Sequence, residues 1–172
     1  MKKVLIAVDE TEGSKSILSV FHNMVKPPES VVLVHVQRIE GNSLMIDMLG
    51  DAELETLRDA IRGTEHKETL DRKSEKILNF YRKELENGGL VSVKTVVRDG
   101  IPSEEIMKVA QDEGADLIIT GYSEKGFLQR VVTGCVSRDI EKNAPVPVLV
   151  AKNPTEQEKY AWSASAAMNT GN

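Results

Sequence analysis

The chain has one cysteine among its 172 residues, few aromatic side chains and no long apolar run. A single cysteine excludes an internal disulfide framework. No apolar stretch approaches the roughly 18 residues that a membrane-spanning helix needs, so we expect no membrane partner. The first residues lead straight into a strand-like segment and do not resemble a signal peptide. These absences predict a cytoplasmic protein.

Basic residues are also in the minority, and the net charge is −5. A surface of this sign repels nucleic acid and anionic lipid, so neither class of partner is expected. The same charge leaves room for a local anion site, because backbone dipoles can build one. The length fits one domain with a buried core.

Apolar runs alternate with amphipathic segments along most of the chain. The runs are predicted strands, at residues 4–8, 31–36, 91–97, 116–120 and 145–150. The third is more polar and the fifth contains two prolines, which favours edge positions. Ser14 or a neighbour is the predicted N-cap of the first helix. This alternation predicts a parallel sheet covered on both faces, with ligands bound beyond the carboxyl ends of its strands.

The connection at residues 39–88 is unusually long. Helical spacing there predicts two helices, marked by Leu54, Leu57 and Ile61 and then by Leu70, Ile77, Tyr81 and Leu85. The apolar residues 44–49 either pack against the sheet or a partner subunit, or form a movable lid over the crevice. Residues 153–172 show no sustained period and are predicted to be a C-terminal tail.

Glycines lie between the fourth predicted strand and a predicted helix at residues 136–141. Gly121, Gly126 and Gly134 would leave backbone N–H groups exposed at the positive end of that helix. This arrangement is suited to binding phosphate. Arg130 offers a cation in the same loop, and Lys125 offers a second.

Several segments in this order resemble the universal stress protein family, over residues 3–152. The segments are Ile6-Ala7-Val8-Asp9, Leu33-Val34-His35-Val36, Gly100-Ile101-Pro102, residues 115–121, Gly134-Cys135-Val136-Ser137 and residues 145–150. The resemblance implies one domain at residues 1–152, followed by the tail at 153–172. It implies an α/β three-layer sandwich with a five-stranded parallel sheet of order 3-2-1-4-5, Rossmann-like. It also implies a homodimer formed through the last strand.

The family has a nucleotide-binding branch with a characteristic glycine loop. That loop reads Gly, two residues, Gly, nine residues, Gly, then Ser or Thr. Gly121 and Gly134 match its first and third glycines, whereas Glu124 replaces the second glycine and Cys135 replaces the hydroxyl residue. The carboxylate of Glu124 would repel a phosphate unless it points to solvent or a divalent metal such as Mg²⁺ bridges the two.

The resemblance also implies which residues bind a nucleotide. The positions matching the adenine and ribose pocket are Ala7, Val8, Asp9 and Val36. The phosphate-binding candidates that belong to the resemblance are Gly121, Gly134, Cys135, Val136 and Ser137. Gly126 and Arg130 are candidates by their own chemistry, as a flexible backbone position and a cation in the same loop. Asp9 remains open between a nucleotide ligand and a turn residue after a strand. His22, His35 and His66 lack ligand-like spacing and are predicted to be structural or exposed.

Catalytic motifs are absent from the sequence. It contains no Gly-x4-Gly-Lys-Ser/Thr loop, no Gly-x-Gly-x-x-Gly after the first strand and no nucleophile elbow. We therefore expect no dedicated enzyme, but a regulatory protein that binds ATP or a related adenine nucleotide. The alternative is a nucleotide-free dimeric stress or interaction protein with a degenerate phosphate loop. Weak ATP hydrolysis and a thiol sensor at Cys135 stay open as lesser alternatives.

Overall fold

A computed structural model describes residues 1–10, 12–37, 65–89, 92–122 and 136–152, together with residues 50, 52, 53, 56 and 60. The strands are β1 Lys3–Ala7, β2 Ser30–Gln37, β3 Val93–Asp99, β4 Leu117–Gly121 and β5 Val148–Ala151. The helices with defined bounds are α1 Glu12–Met24, α2 Glu65–Asn87, α3 Pro102–Glu113 and α4 Val136–Asn143.

The strands form one parallel sheet in the order β3-β2-β1-β4-β5. The parallel sheet predicted from the apolar runs is confirmed, and so is the strand order that the family resemblance implies. β1 is the central strand, with Ala7 opposite Val34 of β2 and opposite Thr120 of β4. The strand order reverses at β1, so a crevice is expected at the carboxyl ends of β1 and β4.

Helices cover both faces of the sheet, as a three-layer sandwich requires. Successive residues of a strand point to opposite faces, so β1 contributes to two separate cores. One core contains Val4, Ile6, Ile17, Phe21, Val31, Leu33, Leu78, Tyr81 and Leu85, from β1, β2, α1 and α2, together with Val8, which follows β1. The other contains Leu5, Ala7, Val32, Val34, Ile106, Val109, Ala110, Ile118 and Ile140, from β1, β2, α3, β4 and α4.

Some predicted boundaries differ from the structure. β3 begins at Val93 and β5 at Val148, two and three residues later than the predicted starts. Pro145 and Pro147 fall outside β5, because proline has no N–H to donate to a sheet. Ser14 is not the N-cap of α1, since the helix begins at Glu12 and Ser14 lies in its first turn.

The two helices predicted for the connection between β2 and β3 differ in how much of each is described. The stripe of Leu70, Ile77, Tyr81 and Leu85 lies on α2, as predicted, and Tyr81 and Leu85 are buried. The stripe of Leu54, Leu57 and Ile61, the patch at 44–49 and the tail at 153–172 lie outside the described residues.

Candidate functional site

The predicted adenine and ribose residues meet at the carboxyl edge of the sheet. Ala7 ends β1, and Val8 and Asp9 follow it; Val8 is buried and Asp9 is exposed. Val36 lies on β2, two residues past the position opposite Ala7, and Gly121 ends β4, one residue past it. β2 and β4 therefore extend beyond β1 on either side, and β1 leaves a gap between them.

The phosphate-binding candidates are only partly described. Val136 and Ser137 are the first two residues of α4, and Ser137 is buried. Gly126, Arg130, Gly134 and Cys135 lie outside the described residues, as do Glu124 and Lys125. Their roles remain predictions.

The main-chain direction of Val36 follows from the hydrogen bonds around it. The Val34 carbonyl accepts a hydrogen bond from Val8 N–H at 2.9 Å, so Val34 faces β1. The Gln37 carbonyl accepts from Gly100 N–H at 3.3 Å, so Gln37 faces β3. Since the N–H and C=O of one strand residue point to the same side and alternate along the strand, both groups of Val36 face β1. They lie past the last residue of β1, at the gap.

Gly121 faces the same gap from the other side. Ile118 N–H donates to the Pro147 carbonyl, and Tyr122 N–H donates to the Ala151 carbonyl. Residues 118 and 122 therefore face β5, and the main chain of Gly121 faces β1. A glycine here brings backbone to the gap with no Cβ in the way of a ligand.

Asp9 is held in place by Ser14. The Ser14 hydroxyl donates to Asp9 Oδ1 at 2.7 Å and accepts from Asp9 N–H at 3.0 Å. Ser14 is buried, so this pair fixes the turn from β1 into α1. Asp9 therefore has the structural role that the sequence left open. A carboxylate has about four lone-pair sites, so the exposed Asp9 side chain can accept a further hydrogen bond from a ligand hydroxyl.

His35 contacts the same turn from β2. Its Nδ1 lies 2.8 Å from the Val8 carbonyl oxygen. A carbonyl only accepts, so Nδ1 carries the proton and donates. His35 is half-buried, on the face of the sheet that α1 and α2 cover. The prediction of a structural histidine is consistent with this contact.

A cluster of five polar residues lies beside the gap, and sequence reasoning missed it. The Gln37 cluster consists of Gln37, Lys67, Asp71, Ser74 and Asp99, from β2, α2 and β3. Gln37 Nε2 donates to Asp71 Oδ1 and to Ser74 Oγ, each at 2.8 Å. Lys67 Nζ donates to Gln37 Oε1 at 2.5 Å and to Asp99 Oδ1 at 3.0 Å.

The electrostatics of the Gln37 cluster follow from these contacts. The hydrogen bond from Gln37 is the main cause that lowers the pKa of Asp71. Burial acts in the opposite direction and raises this pKa, and Lys67 lowers it further. Burial opposes the charge of Lys67, but hydrogen bonds to Asp99 and Asp71 outweigh it and raise the pKa of Lys67. Lys67 and Asp71 are therefore charged and paired at neutral pH, and the cluster fixes the start of α2 against the ends of β2 and β3.

A second contact joins α2 to the turn after β1. Lys73 Nζ lies 2.8 Å from Glu10 Oε1, and both side chains are about half exposed. An exposed pair of this kind contributes little to stability. Its position shows that α2 runs alongside the turn that carries Asp9.

The described part of the chain lacks two features. No helix there is both long and apolar enough to cross a membrane. Within the same residues, no three His, Cys, Asp or Glu side chains are grouped to hold a metal ion.

The chain matches known proteins along most of its length. The model of the universal stress protein family matches residues 1–152. Universal stress protein MJ0577 of Methanocaldococcus jannaschii is 34% identical over 155 residues, which cover 88% of this chain and 94% of the relative. The solved structure of MJ0577 aligns with a TM-score of 0.65 and 30% identity, over 90% of this chain and 98% of that one.

Two more distant structures share the fold. A universal stress protein in complex with cAMP aligns with a TM-score of 0.60 and 11% identity, over 88% of this chain and 96% of that one. A universal stress protein family protein from Arabidopsis thaliana with AMP bound aligns with a TM-score of 0.59 and 16% identity, over 91% and 95%. At these identities the likeness shows the fold alone.

Proposed function

Because the chain belongs to the universal stress protein family, we propose that it binds ATP or a related adenine nucleotide at the carboxyl ends of β1 and β4. Occupancy of that site, rather than turnover of the nucleotide, is the proposed regulatory activity. Two proteins of the same fold were solved with cAMP and with AMP, which supports an adenine nucleotide as the ligand class.

The main-chain arrangement at Val36 is the observation that carries this proposal. Its N–H and C=O both face the gap past the end of β1. Adenine presents a ring-nitrogen acceptor beside an exocyclic amino donor, so one peptide residue with both groups on one side complements it. Guanine presents an oxygen acceptor in place of the amino donor and does not complement Val36 in the same way.

The other predicted site residues would contact the remaining parts of the nucleotide. Ala7 and Val8 provide the apolar wall for the base, and the Asp9 carboxylate accepts from a ribose hydroxyl. Gly121 and the start of α4 at Val136 and Ser137 lie toward the phosphates, where a helix N-terminus favours an anion. Gly126, Arg130, Gly134 and Cys135 are proposed to complete the phosphate site, with Mg²⁺ offsetting the charge of Glu124.

Titration calorimetry with adenosine, AMP, ATP and GMP tests this proposal, with and without Mg²⁺. We expect saturable binding of the adenine compounds and at least tenfold weaker binding of GMP, because the donor and acceptor pattern of Val36 discriminates between the bases. Denaturing the purified protein and identifying released nucleotide gives an independent result. Absence of both a saturable adenine signal and a co-purified nucleotide would refute the proposal.

The phosphate loop is tested separately from the base pocket. Glu124→Gln removes one negative charge, and Glu86→Gln removes an exposed charge on α2 as a matched control. We expect Glu124→Gln to tighten ATP binding about threefold to tenfold and to leave adenosine binding unchanged, because the repulsion acts on phosphate. The combined change Glu124→Gly with Cys135→Ser is expected to tighten ATP binding further. Equal effects of the Glu124 and Glu86 variants would show that Glu124 is remote from the phosphates.

A specific feature of β5 favours the dimer as the accompanying assembly. β5 is an edge strand, and Val148, Leu149 and Val150 are half-buried in the isolated chain. Since Pro147 and Ala151 face β4, the main-chain groups of Val148 and Val150 point away from the sheet. We propose that a second copy pairs along this edge, which is also the interface of the nucleotide-free alternative.

The edge is tested by Val150→Pro, which removes one outward N–H donor and leaves the pairing with β4 intact. We expect a monomer by light scattering after size-exclusion chromatography, where the unchanged protein is a dimer. A variant that stays dimeric would place the interface elsewhere.

A further inference from the structure

His35 lies one residue before Val36 on β2 and reaches across to β1. Its Nδ1 donates to the Val8 carbonyl at 2.8 Å. The Val8 N–H donates to Val34 O, so Val8 faces β2, and its carbonyl points to the same side. The side chain of His35 therefore satisfies an acceptor that belongs to the β1–β2 edge.

A regular parallel ladder would satisfy this acceptor differently. After Val8 N–H donates to Val34 O, the next bond in the pattern runs from Val36 N–H to Val8 O. The β1–β2 register instead ends at Ala7 and Val34. The His35 ring already supplies a donor to Val8 O. A bond from Val36 N–H would then be only a second bond to the same oxygen, so it would stabilise the ladder less than a bond to an unsatisfied carbonyl.

We infer that His35 is a positioning residue that ends the β1–β2 ladder one step early and thereby keeps the Val36 N–H for a ligand. The inference rests on the proposed function for the identity of that ligand, an adenine base. His35 acts through the backbone and does not contact the nucleotide. The neighbouring Gln37 keeps the end of β2 fixed, so the change in pairing is confined to Val8 and Val36.

Substitutions at His35 separate this role from simple packing. His35→Leu fills space but cannot donate, so Val8 O would take the Val36 N–H. His35→Asn places its amide nitrogen one bond beyond Cγ, in the position of Nδ1, and can donate to Val8 O as histidine does. His35→Gln places its nitrogen one bond farther and serves as a control for reach.

Nuclear magnetic resonance of the ligand-free protein tests the backbone part. We expect a protonated Nδ1 on His35 and no through-hydrogen-bond coupling between the Val36 nitrogen and the Val8 carbonyl carbon. In His35→Leu that coupling should appear, and exchange of the Val36 amide should slow at least tenfold. A Val36–Val8 coupling already present in the unchanged protein would overturn the inference, whatever the variants do.

Nucleotide titration tests the consequence for binding. We expect His35→Leu to weaken adenosine binding about threefold to tenfold, the usual effect of one lost hydrogen bond, and His35→Asn to restore it. Equal adenosine affinity in His35→Leu and in the unchanged protein would refute the positioning role. If the unchanged protein binds no adenine compound, the proposed function fails, and the resonance experiment alone decides whether His35 ends the ladder.

Discussion

Replacing Gln37 by methionine removes the centre of the Gln37 cluster while nearly keeping side-chain volume. Gln37 is 2% exposed, and its side chain makes three hydrogen bonds, to Asp71, Ser74 and Lys67. Two of these involve charged partners, and such bonds contribute about 1.5–3 kcal/mol each when fully buried. Simple addition would give about 5 kcal/mol for the three.

The surroundings reduce this figure. The Asp71 side chain is 51% exposed and can bind water instead. Lys67 keeps Asp99 and Asp71 as partners, and Ser74 still donates to the Leu70 carbonyl. We therefore expect a loss of about 2–3 kcal/mol in the free energy of unfolding, which corresponds to roughly 5–10 °C in Tm for a domain of this size.

Chemical denaturation followed by far-ultraviolet circular dichroism measures this loss. Lys76→Met is a matched control, because Lys76 is exposed on the same helix and should change stability by less than about 0.5 kcal/mol. A loss below that control level in Gln37→Met would refute the view that the cluster holds α2 to the sheet.

Three further predictions concern stability in acid, the end of α3 and the packing of α4. Two carboxylates determine the expected stability in acid. A hydrogen bond from Gln37 is the main cause that lowers the pKa of Asp71, and one from Lys94 is the main cause that lowers the pKa of Glu113. The stability that they provide is present above the unfolded pKa of about 4 and is lost as pH falls further, so denaturant midpoints should drop between about pH 5 and pH 3, with a shallower drop in Glu113→Gln. At the end of α3, Gly114 has φ 62° with open space around it. Gly114→Ala should therefore lower the free energy of unfolding by about 1 kcal/mol from backbone strain alone, and Gly114→Asn should lower it less, as denaturation would measure. Ile140 is fully buried where α4 packs on the sheet. Ile140→Ala should therefore lower the free energy of unfolding, measured by denaturation, by about 2–5 kcal/mol. A smaller loss would show that the helix moves in to fill the cavity.

The strands and their order could be predicted because local patterns carry that information. Val31 to Val34 are apolar without interruption, which is typical of a strand buried on both faces. The alternation of such runs with helical spacing then leaves few topologies, and the family resemblance selects one. The predicted start of β5 was wrong, because the apolar residues beside the two prolines fit a hydrophobic pattern without pairing in the sheet.

The Gln37 cluster could not be predicted in the same way. Its members come from β2, α2 and β3, and their pairing depends on how those elements pack. Lys67, Asp71 and Ser74 do recur at helical spacing along one side of α2, which was the available signal. The role of His35 depends likewise on a carbonyl 27 positions away in the chain.

The central position of β1 also determines when the candidate site can form during synthesis. β1 pairs with β2 soon after both have been made, but its other neighbour, β4, lies far along the chain: the backbone of Lys3 contacts Asp116, 113 positions later. Until β4 leaves the ribosome, one edge of the central strand, which carries the buried run Val4 to Ala7, has no partner. Such an edge invites aggregation or chaperone binding. We expect the nascent chain to need protection through most of its synthesis, and the gap past the end of β1 to be among the last features to assemble.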